Sequence, residues 1–461
     1  MNRLKSFLKW GALSLCVLLV ILAAAWAISK MMYPTQAQRE AIAEMESLPE
    51  YGGDNAFALL WSLGYDVPDA ELEQVLEEDV QRFSETPLVP DPEEEAVYTG
   101  FDSVKTDYAS LSPSSEDRGM FCGDRDESCL EKVRQDLDAY QAMIERNRRL
   151  LDRVSRLDEF EYLRSPFPPR MNAPIPAYQP ASYLRTRHAV EFASGNEREA
   201  IASVCREIQT WRRLSANSEL MIDRIYGIAN ATKHNGALLA NMLSEWPVDQ
   251  PLPAPCDSAL APPELADVSL CNAVHGEFAR VAFSVRTLDQ YNSGLLDRLL
   301  MPVFIDAEAS AGLSAEHFQR YCDASTDAAL LADRQPARAT QSSVARFECV
   351  GNLYGCILSA IAEPGYSQYE SRTLDHGAHL RVLGTLAWMR QNAGVGRTPK
   401  ALLEDRPDAL KSPERNIVFG PEGRTLQVPL YEPEFTGDGR ERVHVHWSIP
   451  LPPALYEKAG G

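Results

Sequence analysis

Apolar and polar residues alternate along this chain in three successive regimes, and each predicts a different element. From Trp10 to Ile28 no residue is charged; Arg3, Lys5 and Lys9 precede the run and Lys30 follows it. Nineteen residues at a rise of about 1.5 Å make a helix about 28 Å long, close to the roughly 30 Å hydrocarbon core of a bilayer. This regime predicts a transmembrane helix.

The second regime has the helical period and covers most of the chain. Residues 36–48 predict a short polar helix. Residues 56–63 are apolar on nearly every side (Phe57, Leu59, Leu60, Trp61, Leu63) and predict a buried helix closed by Gly64. Leu72, Leu76 and Val80 recur at steps of four within residues 67–84, which leaves the acids of that helix on its outer face. Leu130, Val133, Leu137, Tyr140, Ile144, Asn147, Leu151 and Val154 form a heptad seam, predicting one long helix over residues 129–163 with an antiparallel partner in the same chain.

A proline-rich crossing at residues 164–180 leads to helices over 181–193, from Asn196 through Trp211, and over 219–246. A second crossing at 247–263 opens onto helices over 265–288, 315–334, 344–361 and 369–391. No fixed repeat period of 34 or 40 residues is present, which argues against a solenoid of helical repeats.

The third regime has period two. Residues 416–419 and 425–431 flank Gly420-Pro421-Glu422-Gly423, a hairpin signal. Over residues 442–449, Val443, Val445 and Trp447 fall on one strand face, with His444, His446 and Ser448 on the other. The expected fold is therefore mainly α: an N-terminal transmembrane helix, an irregular antiparallel helical bundle or array, and a small C-terminal three-stranded antiparallel β meander. In domain terms this gives a cytoplasmic tail at 1–9, an anchor at 10–29, an acidic helical region with the long heptad helix at 31–165, a bundle at 181–411 and the meander with its tail at 412–461.

Charge gives the first segment a direction. Basic residues precede the span, so the positive-inside rule keeps the N-terminus in the cytoplasm and exports the remainder. Ala23, Ala25 and Ala27 offer A-x-A sites to a signal peptidase. However, the apolar run exceeds the usual h-region and stays apolar past those sites through Trp26 and Ile28, so an uncleaved anchor in the inner (plasma) membrane is expected. The net charge is −21, and removing the four basic residues of the first thirty leaves −25 for the exported part. Such a surface repels phosphate backbones, which argues against nucleic-acid binding. Residues 66–96 carry twelve acids against Arg82 alone, a solvated face that could also dock a basic partner or divalent cations.

Besides Cys16, eight cysteines follow the anchor: Cys122, Cys129, Cys205, Cys256, Cys271, Cys322, Cys349 and Cys356. An even number in an oxidising compartment suits structural disulfides, whereas no C-x₂-C pair signals zinc. Cys122 and Cys129 bracket a polar stretch that can close on itself. A fold-back can join Cys256 to Cys271. Cys349 and Cys356 would lie about 10 Å apart in a continuous helix, too far to bridge, unless Gly351 or Gly355 breaks it. Otherwise they would need distant partners such as Cys205 and Cys322.

Candidate chemistry is sparse. The G-x-S-x-G, Walker A, H-E-x-x-H and G-x-G-x-x-G motifs are absent. Asp375-His376-x-x-His379 places two imidazoles one helical turn apart, and His444 and His446 share a strand face. These four would form a metal site if helix and sheet brought their nitrogens around a common point. Cys271 and His275 are also one turn apart, and Lys233-His234-Asn235 interrupts an apolar helix. No catalytic residue and no cofactor is assigned. The expected function is that of a membrane-anchored periplasmic protein that binds or scaffolds envelope components, held to the membrane by its first helix and with an envelope protein as partner. An envelope enzyme, a metal-dependent hydrolase using the C-terminal histidines, is the alternative.

Overall fold

In the computed structural model, residues 2–88, 101–123, 128–291, 301–337, 345–394, 397–435, 442–443 and 445–456 are described. The protein is mainly helical, with a small three-stranded antiparallel sheet near its C-terminus. One N-terminal helix, Asn2–Met32, is long and apolar enough over Lys9–Met32 to cross a membrane. Leu13, Leu18, Val20 and Leu22 on it are all more than half exposed.

The last turns of this helix belong to the body of the protein. Trp26 Nε1 donates to the Val303 carbonyl at 2.8 Å. Ser29, buried, donates through Oγ to the Phe347 carbonyl at 3.1 Å and accepts from the Gly351 amide at 3.1 Å. Lys30 Nζ reaches the Ile305 carbonyl at 2.8 Å and Asp306 at 3.3 Å. Glycine is required at 351, because a Cβ there would meet Ser29 Oγ at 2.9 Å. Beside this helix, helices Gln36–Glu46, Cys271–Arg286 and Ala307–Gln319 pack a satellite core of Ala41, Met45, Phe278, Ala311 and Phe318.

The main bundle is organised around Glu197–Ala216, which packs on Leu184–Ala193, Met221–Ile228, Asn235–Glu245 and Pro255–Ala259. Its buried stripe includes Ile201, Val204, Ile208 and Trp211. The largest core cluster draws on the regions at 31–165, 181–411 and 412–461 together, from Phe57 and Leu151 through Ile208 to Leu426 and Ile449.

Several elements differ from the sequence pattern, each for a local reason. The heptad seam is three short helices, Cys129–Gln135, Leu137–Arg146 and Arg148–Ser155, rather than one. Asp136 leaves helical geometry and its side chain caps the next helix at Ala139 N. Asn147 interrupts the ladder and bonds Asp117 at 3.0 Å. All three pieces pack on Leu184–Ala193, the expected partner within the chain. In the acidic helix, Leu72–Glu85, one acid points inward. Asp79 is fully buried and accepts from Trp61 Nε1 at 2.6 Å and Val104 N at 2.7 Å. Of the acidic stretch 66–96, residues 89–96 lie outside the described residues.

All eight cysteines after the N-terminal helix are paired: Cys122–Cys129, Cys205–Cys256, Cys271–Cys322 and Cys349–Cys356. The fold-back joining Cys256 to Cys271 does not occur, because each packs on a different neighbour. Cys256 lies against Glu197–Ala216, and Cys271 lies against the turn after Ala307–Gln319. Both actual bridges span 51 residues, and closing such a loop contributes about 4 kcal/mol in the chain-entropy treatment. Cys349 and Cys356 meet because Asn352 breaks the helix between Glu348–Gly351 and Leu353–Gln391, bringing their Cα atoms to 5.8 Å.

The C-terminal sheet has the order β1 (Val418–Phe419), β2 (Thr425–Pro429) and His446–Pro450, all antiparallel. Leu426 pairs with Ile449 and Val428 with Trp447, and Leu426, Val428 and Ile449 are buried against the helices. The strand expected over 442–449 is divided. Arg442–Val443 pairs instead with Glu434–Phe435 in a separate two-stranded ribbon.

Candidate functional site

Where the sequence pattern predicts one helix over 219–246, the backbone widens into a π-turn at Ala229–His234 between Met221–Ile228 and Asn235–Glu245. Such turns are frequent at functional sites because they re-aim side chains. Here Lys233 points to solvent while Thr232, His234 and Asn235 are buried. Thr232 faces the long helix Leu353–Gln391, where His376 and His379 lie on adjoining positions.

Thr232 Oγ1 lies 2.9 Å from His376 Nδ1 and 3.2 Å from His379 Nδ1. A hydroxyl has one proton, and Thr232 Oγ1 also donates to the Ile228 carbonyl at 3.3 Å, so toward the two imidazoles the oxygen is an acceptor. His376 Nε2 faces Asp267 Oδ1 at 4.0 Å, beyond hydrogen-bond reach, and has no hydrogen-bond partner. His379 Nε2 likewise has no hydrogen-bond partner. Trp447 covers that ring at a centroid distance of 4.2 Å. Burial pushes His376 down to about 3 and His379 well below the ordinary imidazole value, the latter helped by His376 and Arg415. Both rings are neutral.

Asp375 does not orient these histidines. It accepts from Arg415 Nη1 at 2.5 Å and from the Tyr431 and Glu432 amides at 2.8 and 2.9 Å. Arg415 also holds Asp333 through Nε at 3.0 Å, and Asp333 meets Arg381 at 3.2 Å. Burial pushes the Asp375 carboxyl up to about 6 against the pull of Arg415. This network fastens the C-terminal sheet to the long helix. On the sheet, His446 is exposed and alternates with Trp447, so it points away from the buried pair. His444 lies outside the described residues. The structure thus brings His376 and His379 together and places His446 on the opposite strand face.

Cys271, His275 and Cys322 present ligand atoms within 4.8 Å of one another. The two sulfurs are joined, so neither is a thiolate available to a metal or a substrate. His275 Nδ1 donates to the Met45 carbonyl at 3.1 Å, and burial lowers its proton affinity.

Two clusters carry no motif in the sequence. His188, on Leu184–Ala193, sits between Glu191 Oε2 at 3.6 Å and Glu207 Oε2 at 3.5 Å, ion-pair rather than hydrogen-bond distances. Glu207 Oε1 accepts from Trp211 Nε1 at 2.9 Å. Burial pulls the His188 pKa down, and the two carboxylates together raise it above the ordinary value. The triad borders a cleft of about 310 Å³ whose walls include Arg187, Ser203, Arg206 and Thr210. The i, i+3 spacing of His188 and Glu191 was the available signal, but Glu207 comes from the next helix.

The second cluster is acidic. Asp223, fully buried, accepts from the Tyr178 hydroxyl through Oδ1, and its Oδ2 has no partner. Burial pushes its carboxyl up to about 7, with nearby Glu277 adding to the rise. Glu277 is raised by burial too and accepts from the Met221 amide at 3.0 Å. In sequence, Asp223 reads as an ordinary acid in the first turn of a helix.

Comparison with family models, with curated proteins and with solved structures finds no match for this chain.

Proposed function

We propose that this chain is a single-pass protein of the inner membrane, with its N-terminus cytoplasmic and its disulfide-stapled helical body in the periplasm, where it binds or scaffolds envelope components. The observation that carries the reading is the bonding of the apolar helix into the body through Trp26, Ser29 and Lys30. The candidate cleavage sites at Ala23–Ala27 run into this bonded stretch of one continuous helix. A peptidase needs an extended substrate, so the packing favours an anchor that is kept.

Four disulfides suit an oxidising compartment. The outer face of Leu72–Glu85 offers a partner surface, with Glu73, Glu77, Glu78 and Glu85 exposed and only Arg82 opposing them. The complementary partner is a basic protein surface of the envelope.

The test combines topology and capture in intact cells. Intact mass should show an uncleaved N-terminus, the protein should stay with membranes after carbonate, and Lys400→Cys should label only from the periplasmic side. A photocrosslinker at Glu77 should capture a specific basic partner. A chain beginning after Ala25 or Ala27, or a cytoplasmic Lys400 position, would overturn the anchor. Absence of any specific crosslink would overturn the scaffolding role.

A further inference from the structure

The anchor helix is clear of the body only as far as Ala24. Every residue from Trp10 to Ala24 is exposed, Ala25–Ala27 are half-covered, and Ser29 is buried. Those fifteen free residues make about 22 Å of helix, some 8 Å short of the bilayer's hydrocarbon core. The span reaches full length only by including Trp26–Ile28, where the helix already touches the body. Whatever surrounds those contacts therefore lies at the depth of the outer end of the span.

The surroundings are apolar. Phe304, Phe347, Val350, Tyr354, Leu358 and Ile361 are 37, 41, 43, 44, 51 and 72% exposed, far more than their hydrophobicity favours in water. They are continuous with the anchor contacts. Val303 and Phe347 supply the carbonyls that Trp26 and Ser29 bond. The Phe304 and Tyr354 rings meet at 5.6 Å, and the Cys349–Cys356 bridge ties the Phe347 segment to the first turns of the long helix. Residues 301–305 and 349–361 contain no charged side chain. Just before the second stretch, Glu348 is fully buried, bonded to Gln38 at 2.9 Å and paired with Arg346 at 2.9 Å, and Arg346 is an exposed cation at the edge of this face, next to Phe347.

We infer that this face is a membrane-seating surface: the body rests with Phe304, Phe347, Val350, Tyr354, Leu358 and Ile361 in the interfacial layer of the outer leaflet, against phospholipid. The inference rests on the reading of the first helix as an anchor. Aromatic residues at the end of a span, here Trp26 and Tyr354, suit that layer, and burying exposed apolar area there favours seating. Seating also fixes the body's orientation, because one helix alone leaves it free to swing.

Full-length protein with Cys16→Ser and a single environment-sensitive fluorophore, attached through cysteine at Val20, Leu358, Ile361 or Lys400, tests this in phosphatidylethanolamine/phosphatidylglycerol vesicles. Brominated acyl chains should quench Val20 fully, and Leu358 and Ile361 to about half that extent, with iodide reaching neither. Lys400, 81% exposed, should be quenched by iodide alone. If Val20 is quenched by lipid while Leu358 and Ile361 are open to iodide, the seating surface is overturned and the anchor stands. If Leu358 is shielded from iodide yet untouched by brominated lipid, a protein covers the face and the lipid proposal is overturned. If Val20 is not quenched, the anchor reading falls and the seating surface falls with it.

Discussion

His188 and His379 are both buried and both sit on helices, yet their surroundings push their proton affinities in opposite directions. His379 has exchanged water for the Thr232 hydroxyl on one side and the Trp447 ring on the other. Nothing there stabilises a cation, so burial leaves it neutral. His188 has lost water to a similar degree, but Glu191 and Glu207 flank its two nitrogens and together outweigh the burial. Burial sets the cost of charge in both places, and the partner on the neighbouring element decides whether that cost is met. One histidine is part of an ion network at the edge of a cleft, and the other is part of a sealed polar contact between helix and sheet.

The largest expected effect comes from removing His188. His188→Gln leaves Glu207 buried, with Trp211 as its remaining donor. Removing one partner of a buried pair costs about 3 kcal/mol, which denaturant titration of the full-length protein in detergent would read at pH 6. The pH dependence has a definite sign. The folded pKa lies above 6.5, so the contribution is complete below 6.5 and fades as pH rises through the folded value. The gap between parent and variant should therefore narrow by pH 9. A constant gap from pH 6 to pH 9 would show that His188 is not held as a cation.

The neutral pair comes next. Thr232→Val removes the one hydroxyl that both Nδ1 atoms share, and stranding buried polar groups costs about 2 kcal/mol. Here the sign is reversed. The folded pKa values lie below 6.5, so the contribution is complete above 6.5 and is lost as pH falls toward about 3 for His376. The parent should lose stability between pH 6.5 and pH 4 more steeply than a His376→Gln, His379→Gln double variant. Equal slopes would mean the imidazoles already reach water, and the contrast with His188 would collapse.

The comparison also shows what a single sequence can and cannot carry. The helical regime, the N-terminal apolar helix and the hairpin at Gly420–Gly423 were legible, because each depends on periodicity or on turn residues close together in the chain. His376 and His379 were legible as a pair for the same reason, being one turn apart. Their partner was not. Thr232 faces them only because the backbone widens at Ala229–His234, and 144 residues separate it from His376. Glu207 was equally hidden, since its meeting with His188 depends on how two helices cross. The seam failed at Asp136 and Asn147, where side chains that bond backbone or a neighbour outcompete helical continuity. Cysteine pairing failed at Cys256 and Cys271, where sequence distance was a poor guide to which helix each one packs against.

The smallest expected effect is at His446, and it tests whether the His379 side is sealed. Strand His446–Pro450 alternates, with His446 exposed and Trp447 turned onto His379. Successive strand residues point to opposite faces, so His446 can approach the pair only by a register slip that would carry Trp447 and Ile449 out of the core. Ile449 is paired with Leu426 and fully buried, which opposes such a slip. His446→Ala should therefore change stability by less than about 0.5 kcal/mol and leave any zinc titration by calorimetry as it is in the parent. If zinc binds the parent and is lost with His446, then strand and helix histidines share a ligand set. His379 would then belong with His188 among the groups whose protonation answers to solvent.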